Sequence, residues 1–394
     1  MSQYHNHIMQ ELIESNLVNY WPDFKMVAFA LFDDKHVYLY NHPKFNHVYQ
    51  ILNRDAQFYG CTLILYEEYP TAIVDLNLYD DYASVFSLLV HELFHGYQYL
   101  KGENRFPNEM LGITYPLTKE NVQLRNEERV QLYHALLETE KEIRQEYINR
   151  FVTIRNKRSE MFGEHFLYEE LIETTEGPAW YVELRAFAEK SNLEYASILQ
   201  KYGQSLLDVY ESTANIRRGC YSSGLFMCML LDELSPKWKD RFLGEKGTLY
   251  DLFKQHSDRE VCIEPVEVSE ETEKVIQYVL EKRQNEFEKF QEQEGQHVII
   301  NGKITATAFD PMNIISIEKR QLHKSFIKVR INNEEYLIQQ PVIVQSEGGF
   351  QNILKLHLVL IDKPIENGAS ITINGIGEIK GMIRNKSSCM EIYL

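Results

Sequence analysis

The chain has 394 residues, 44% hydrophobic and 25% charged, which is enough for a sizeable core and two or three domains. Its 58 acidic residues against 41 basic ones give a net charge of −17, which argues against nucleic acid and anionic membrane surfaces as partners. No apolar run approaches the length needed to span a membrane.

The first residues, MSQYHNHIMQELIES, lack a basic start followed by an apolar core, so no secretory signal is expected. A short helix is predicted near HIMQELIES. KMVAFALFDDKHVYLYNH reads as two β-rich runs around Asp33-Asp34-Lys35, a hairpin signal. CTLILYEEYPTAIVDLNLY reads as one or two further strands. Residues 1–80 are therefore expected to be mixed α/β.

The next segment, Ser87 to Leu100, is SLLVHELFHGYQYL. Its apolar content predicts a helix, and it contains His-Glu-x-x-His. Residues four apart share a helix face, so His91 and His95 project together and can hold one zinc ion as neutral imidazoles. Glu92 lies beside the first histidine, where it can act as general base toward water without being a ligand. The alternative is a helix with two half-buried histidines and a surface glutamate.

From about 117 to 290 strong helix formers dominate, with apolar residues at three- and four-residue steps. The many charges of this stretch are expected on a solvated face. A final helix is expected between Ser269 as N-cap and Gly295 as stop. The last hundred residues change to short β-prone runs, with turns at Asn332-Asn333 and Asn374-Gly375. The expected division is 1–80 (mixed α/β) and 81–295 (helical, zinc-binding) in one catalytic domain, then 296–394 as a β-sandwich or barrel. The five cysteines, Cys61, Cys220, Cys228, Cys262 and Cys389, are scattered and form no Cys-x-x-Cys pair. They read as free thiols of a reducing cytoplasm.

A catalytic zinc usually has three protein ligands and one open position. A metzincin continuation needs glycine three and histidine six residues after His95, and those positions hold Gln98 and Lys101. A carboxylate from a later helix remains. Glu176-Gly177-Pro178-Ala179-Trp180-Tyr181-Val182-Glu183 resembles the Glu-Gly-x-Ala-x-Tyr segment of gluzincin metallopeptidases, especially the aminopeptidase N-like family. The resemblance implies Glu176 as third ligand. Small Gly177 and Ala179 would let this helix approach the His-Glu-x-x-His helix. Pro178 implies that the helix begins near it or bends, which keeps Glu173 as a rival ligand.

CYSSGLFMCMLLDEL resembles the same family's Tyr-x-x-Gly segment, which implies that Tyr221 stabilises the tetrahedral intermediate, with Tyr181 as the next choice. Arg217 and Arg218 precede it and read as a solvated pair, or as groups for a substrate carboxylate or carbonyl. The family's Gly-x-Met-Glu-Asn segment, which captures a free amino terminus, has no counterpart before His91, so aminopeptidase activity is not implied.

These readings combine into an α+β protein: a zincin-like catalytic domain followed by a small all-β domain. The expected function is Zn2+-dependent hydrolysis of a peptide or protein substrate in the cytoplasm, with neither nucleic acid nor membrane as partner. The other readings are a peptidase-like protein that only binds or regulates, and a zinc hydrolase of a non-peptide amide.

Overall fold

The computed structural model describes residues 7–8, 10–12, 17–45, 49–263, 267–347, 351–386 and 389–394. The fold is mixed α+β, and its C-terminal region is all β. Of the expected first helix, residues 7, 8 and 10–12 are helical, and the rest lies outside the described residues. No helix among the described residues is long and apolar enough to cross a membrane.

The chain forms two compact units, residues 1–107 with 118–269 and residues 108–117 with 270–394. The first unit opens with a five-stranded sheet of β1 (Ala28–Phe32), β2 (His36–Tyr40), β3 (Tyr49–Asn53), β4 (Thr62–Tyr66) and β5 (Tyr69–Asp75), in the order β3-β2-β1-β5-β4. β1 pairs antiparallel with β2 across the expected hairpin, with Phe32 opposite Val37. It pairs parallel with β5 on its other side. All five β1 residues are buried because both faces of the sheet are covered. Phe29 and Leu31 enter the main helical core, while Ala30 and Phe32 enter a second core with Val37, Phe58 and Ile73. β4 and β5 are two strands, joined at Glu67 and Glu68 with φ of 45° and 67°.

Helix α1 (Tyr82–Leu100) follows directly, and the Asp81 side chain caps it by accepting from the Ser84 amide. Val85, Phe86, Leu89, Val90, Leu93 and Phe94 bury it in the core. After α2 (Met110–Ile113) come α3 (Lys119–Leu137), α4 (Lys141–Phe162) and the 27-residue α5 (Glu164–Lys190). Then follow α6 (Tyr195–Leu207), α7 (Val209–Ala214) and α8 (Ile216–Leu234).

Two expectations about this region change. Pro178 lies inside α5, which begins fourteen positions earlier at Glu164. The proline removes only the amide that would bond the Thr174 carbonyl. In the same turn the Thr175 carbonyl accepts 2.9 Å from Gln98 Nε2 of α1, and the Thr174 hydroxyl accepts 2.8 Å from the Leu249 amide. Gly177, in turn, opens α5 toward α8 rather than toward α1. A Cβ on Gly177 would lie 2.7 Å from Gly224 Cα, so the two backbones touch there.

The charged helices do not present a merely solvated face. Arg125, Glu128, Arg129, Arg155, Arg158, Glu169 and Glu173 are all buried. Arg155 holds Glu173 through a bidentate pair at 2.9 and 2.8 Å. Arg158 bonds Glu128 at 2.7 Å and also pairs with Glu169, to which Arg125 Nε donates at 3.2 Å. These charges meet across different helices, so one helix's own sequence pattern does not reveal the pairing.

In the second unit, helix α9 (Glu270–Gln291) groups with the β region rather than with the helices before it, placing the division near 270 instead of Gly295. Its Phe287 and Phe290 pack with Leu322 and Ile343 of the β region. A nine-stranded sheet and a three-stranded sheet share one core, to which Val298, Ile300 and Val329 contribute from the first and Ile371, Ile373 and Ile379 from the second. The expected turns are present, with φ of 48° and 69° at Asn332 and Asn333 and 76° at Gly375.

The glycine crossing yields a stability test. Gly177→Ala gains about 1 kcal/mol of helix propensity. Its Cβ, however, meets backbone that cannot rotate away. Overpacking of this kind costs about 1–3 kcal/mol, so the variant should unfold at lower denaturant concentration than the parent. An unchanged or higher midpoint would show that the helices separate without cost.

Candidate metal centre

The apolar run of α1 seats its histidines inside the protein, with His91 4% exposed. α5 brings Glu176 against them. His95 Nε2 lies 3.0 Å from His91 Nε2 and 3.2 Å from Glu176 Oε2, and His91 Nε2 lies 3.5 Å from the same oxygen. These three side chains form a group able to hold a metal ion. A tetrahedral ion about 2.0–2.1 Å from its ligands sets ligand–ligand separations of about 3.3 Å. The observed triangle has that size.

The far side of each imidazole is also engaged. His91 Nδ1 lies 2.9 Å from Glu183 Oε2, and Glu183 Oε1 accepts at 3.0 Å from the Tyr202 hydroxyl. His95 Nδ1 lies 2.8 Å from Gln98 Oε1, and Gln98 is held by the Thr175 carbonyl. At His95 the acceptor keeps the proton on Nδ1 of a neutral imidazole and leaves the Nε2 lone pair for a metal, and at His91 the Glu183 charge favours a proton on the same nitrogen. Both lone pairs then face one another and a carboxylate oxygen, an arrangement that requires positive charge between them.

The local charges call for the same thing. Glu92, Glu176 and Glu183 stand around the histidines, opposed by the Arg217 guanidinium. Burial disfavours a charged His91, yet Glu176 and Glu183 outweigh it and raise its pKa well above the imidazole range. His95 shifts upward too, burial being overcome by Glu176. Burial alone would raise the Glu176 pKa, but the two histidines carry it well below the carboxylate range. A divalent cation would supply that positive charge without protons.

Glu92 is buried at 6% exposure, which removes the surface-glutamate alternative. Burial raises its pKa against the opposing pull of His91 and His95, and the carboxylates of Glu176 and Glu183 add to the rise. Among the described residues, no hydrogen bond or ion pair restrains its carboxylate. The rival Glu173 is committed elsewhere: Arg155 takes both its oxygens, and the Ser223 hydroxyl donates to Oε1 at 2.5 Å.

Tyr221 lies beside the triangle on α8, its ring 6.4 Å from His91 and 5.3 Å from Trp180. Burial, then the Glu176 charge, lifts its hydroxyl pKa well above the usual tyrosine value. Tyr181 is not an equivalent choice, because its hydroxyl donates to Asp232 at 2.5 Å and accepts from Arg185 and Lys239. The expected solvated arginine pair separates. Arg218 is exposed, whereas Arg217 turns inward and donates 2.8 Å to Glu176 Oε1. Glu183 and Gln98 carry no expectation from sequence as partners of the histidines. The one available signal was spacing: Glu183 stands seven residues after Glu176, two helical turns along the same face.

Two variants separate the rival carboxylates. Glu176→Ala should fold and retain less zinc after dialysis. Glu173→Ala removes the bidentate partner of the buried Arg155, leaving it Glu128 at 3.6 Å, and should lose about 3 kcal/mol of stability. Its folded fraction should still hold zinc. Zinc content measured beside a denaturation curve checks both, and zinc loss in Glu173→Ala with retention in Glu176→Ala would reverse the ligand assignment.

Comparisons with protein-family models, with curated proteins and with solved structures gave no match to this chain, so the functional reading is built from its own residues.

Proposed function

We propose that this chain is a zincin-like metallopeptidase of gluzincin type, cleaving peptide or protein substrates in the cytoplasm. The observation that carries the reading is the triangle of His91, His95 and Glu176 beside a buried, unrestrained Glu92. The resemblance to the aminopeptidase N-like family supports it through the order of the Glu176 and Tyr221 segments. The five free cysteines fit the proposed location.

A zinc ion bound by His91, His95 and Glu176 would act as a Lewis acid, polarising a carbonyl and acidifying water. The protein's own groups do the rest. Glu92 is the next residue after a ligand, and its raised pKa brings it closer to the range where a base exchanges protons at neutral pH. It takes the proton of the attacking water and passes it to the leaving amine. Tyr221 stays protonated and donates a hydrogen bond to the oxygen on which negative charge develops. Gln98 holds the His95 imidazole in one tautomer, and Glu183 places its charge beside His91.

The base can be tested with little change of shape. Glu92→Gln should fold, retain zinc and cleave a quenched-fluorescent peptide library at least about a hundredfold more slowly. Parental rates in that variant would refute the mechanism. A zinc-loaded parent that cleaves no peptide would refute the function.

Tyr221 requires a different readout. Loss of a donor used only in the transition state lowers kcat more than it raises KM. Tyr221→Phe should lower kcat roughly a hundredfold or more, with zinc content and melting temperature nearly unchanged. A tyrosine that only packs at the start of α8 would give near-parental kcat and a small loss of stability.

A further inference from the structure

Arg217 stands where a surface arginine was expected, yet its side chain is only 20% exposed. One nitrogen, Nη2, lies 2.8 Å from Glu176 Oε1 and 3.3 Å from the Tyr221 hydroxyl oxygen. Its guanidinium carbon lies 5.7 Å from the centre of the Tyr221 ring. Nη2 carries two hydrogens, so it can donate to both acceptors at once. Glu176 thus meets Arg217 with Oε1 and the histidines with Oε2.

We infer that Arg217 is a positioning residue that commits Glu176 to bind a metal through one oxygen and ties that ligand to Tyr221. The inference rests on the zinc reading above. A carboxylate can bind a metal through one oxygen or two. Engaging Oε1 in a charge-assisted hydrogen bond leaves Oε2 as the ligand atom and keeps a coordination position open for water or substrate. The same nitrogen donates to the Tyr221 oxygen, so Arg217 and the Tyr221 hydroxyl both face the Glu176 carboxylate. A lysine could supply the charge, but not the planar, fixed donor pair. Arg218, one position on and exposed, has no such geometry.

The test uses the full chain loaded with zinc or with cobalt(II), whose visible absorption weakens as its coordination number rises. Arg217→Met keeps the bulk of the side chain and removes every donor. Competition with a chromophoric chelator should show zinc affinity reduced about 10–100-fold. The cobalt spectrum should weaken as Glu176 Oε1 joins the ion. Arg217→Lys should fall between the parent and Arg217→Met in affinity. Parental affinity together with a parental cobalt spectrum in Arg217→Met overturns the proposal. If Arg217→Met does not give a cooperative melt, Arg217→Lys decides, and the same pair of parental results overturns it there. A parent chain that holds neither ion overturns the metal centre itself, and this proposal with it.

Discussion

Helix α5 buries the carboxylates of Glu169, Glu173 and Glu176 in the interior of the first unit and holds Glu183 half-buried, and each of these four meets a basic side chain. Glu169 meets Arg158 and Arg125, Glu173 meets Arg155, Glu176 meets the two histidines and Arg217, and Glu183 meets His91. An unpaired buried carboxylate costs several kcal/mol, so the surrounding helices are obliged to present cations at fixed heights along α5. α3 and α4 do so with arginines, α1 with histidines and α8 with Arg217. The helical part of the unit is arranged around this one polar seam, with apolar contacts filling the space beside it.

Along that seam the kind of cation changes. Arginine is charged at every relevant pH and closes its pairs permanently. Burial disfavours the Arg155 charge, but Glu173 and Glu128 outweigh it and hold the guanidinium charged. Histidine is neutral by default near pH 7, so the stretch from Glu176 to Glu183 is short of positive charge unless protons or a metal ion supply it. The lower part of α5 thus meets permanently charged arginines, and the upper part meets histidines whose charge varies. Structural ion pairs and the candidate metal group are built on the same helix a few residues apart.

Much of this could be read from the chain before folding. The hairpin at Asp33-Asp34-Lys35, the helix through His91 and the β character of the C-terminal region follow from local periodicity and turn chemistry. The turn at Glu67-Glu68 carried no such signal, because two glutamates in left-handed conformations lack the usual Asn-Gly or Asp-Gly mark. The buried charges were illegible for a related reason. Arg155 and Arg217 have the local composition of surface residues, and only their tertiary partners show otherwise. The same limit applied to Pro178. Pro178 stands inside the helix in a turn that Gln98 and Leu249 bond at Thr175 and Thr174, and those two residues come from distant parts of the chain.

The separation between Glu176 and Tyr221 follows from the contact at Gly177 and Gly224. With no side chain at either position, α5 and α8 approach until backbone meets backbone. Glu176 is the residue before one glycine, and Tyr221 is three residues, nearly one turn, before the other. The crossing therefore fixes how far the carboxylate stands from the phenol, and Arg217, one further turn down α8, spans the remaining gap to both. A larger residue at either glycine would push α8 outward and carry Tyr221 and Arg217 away together, while α1 and the His91–His95 pair stayed in place. The His91–His95 pair is thus positioned by α1 packed in the apolar core, whereas Glu176 and the phenol share the glycine crossing. Moving the tyrosine therefore also withdraws Arg217 from Glu176 Oε1.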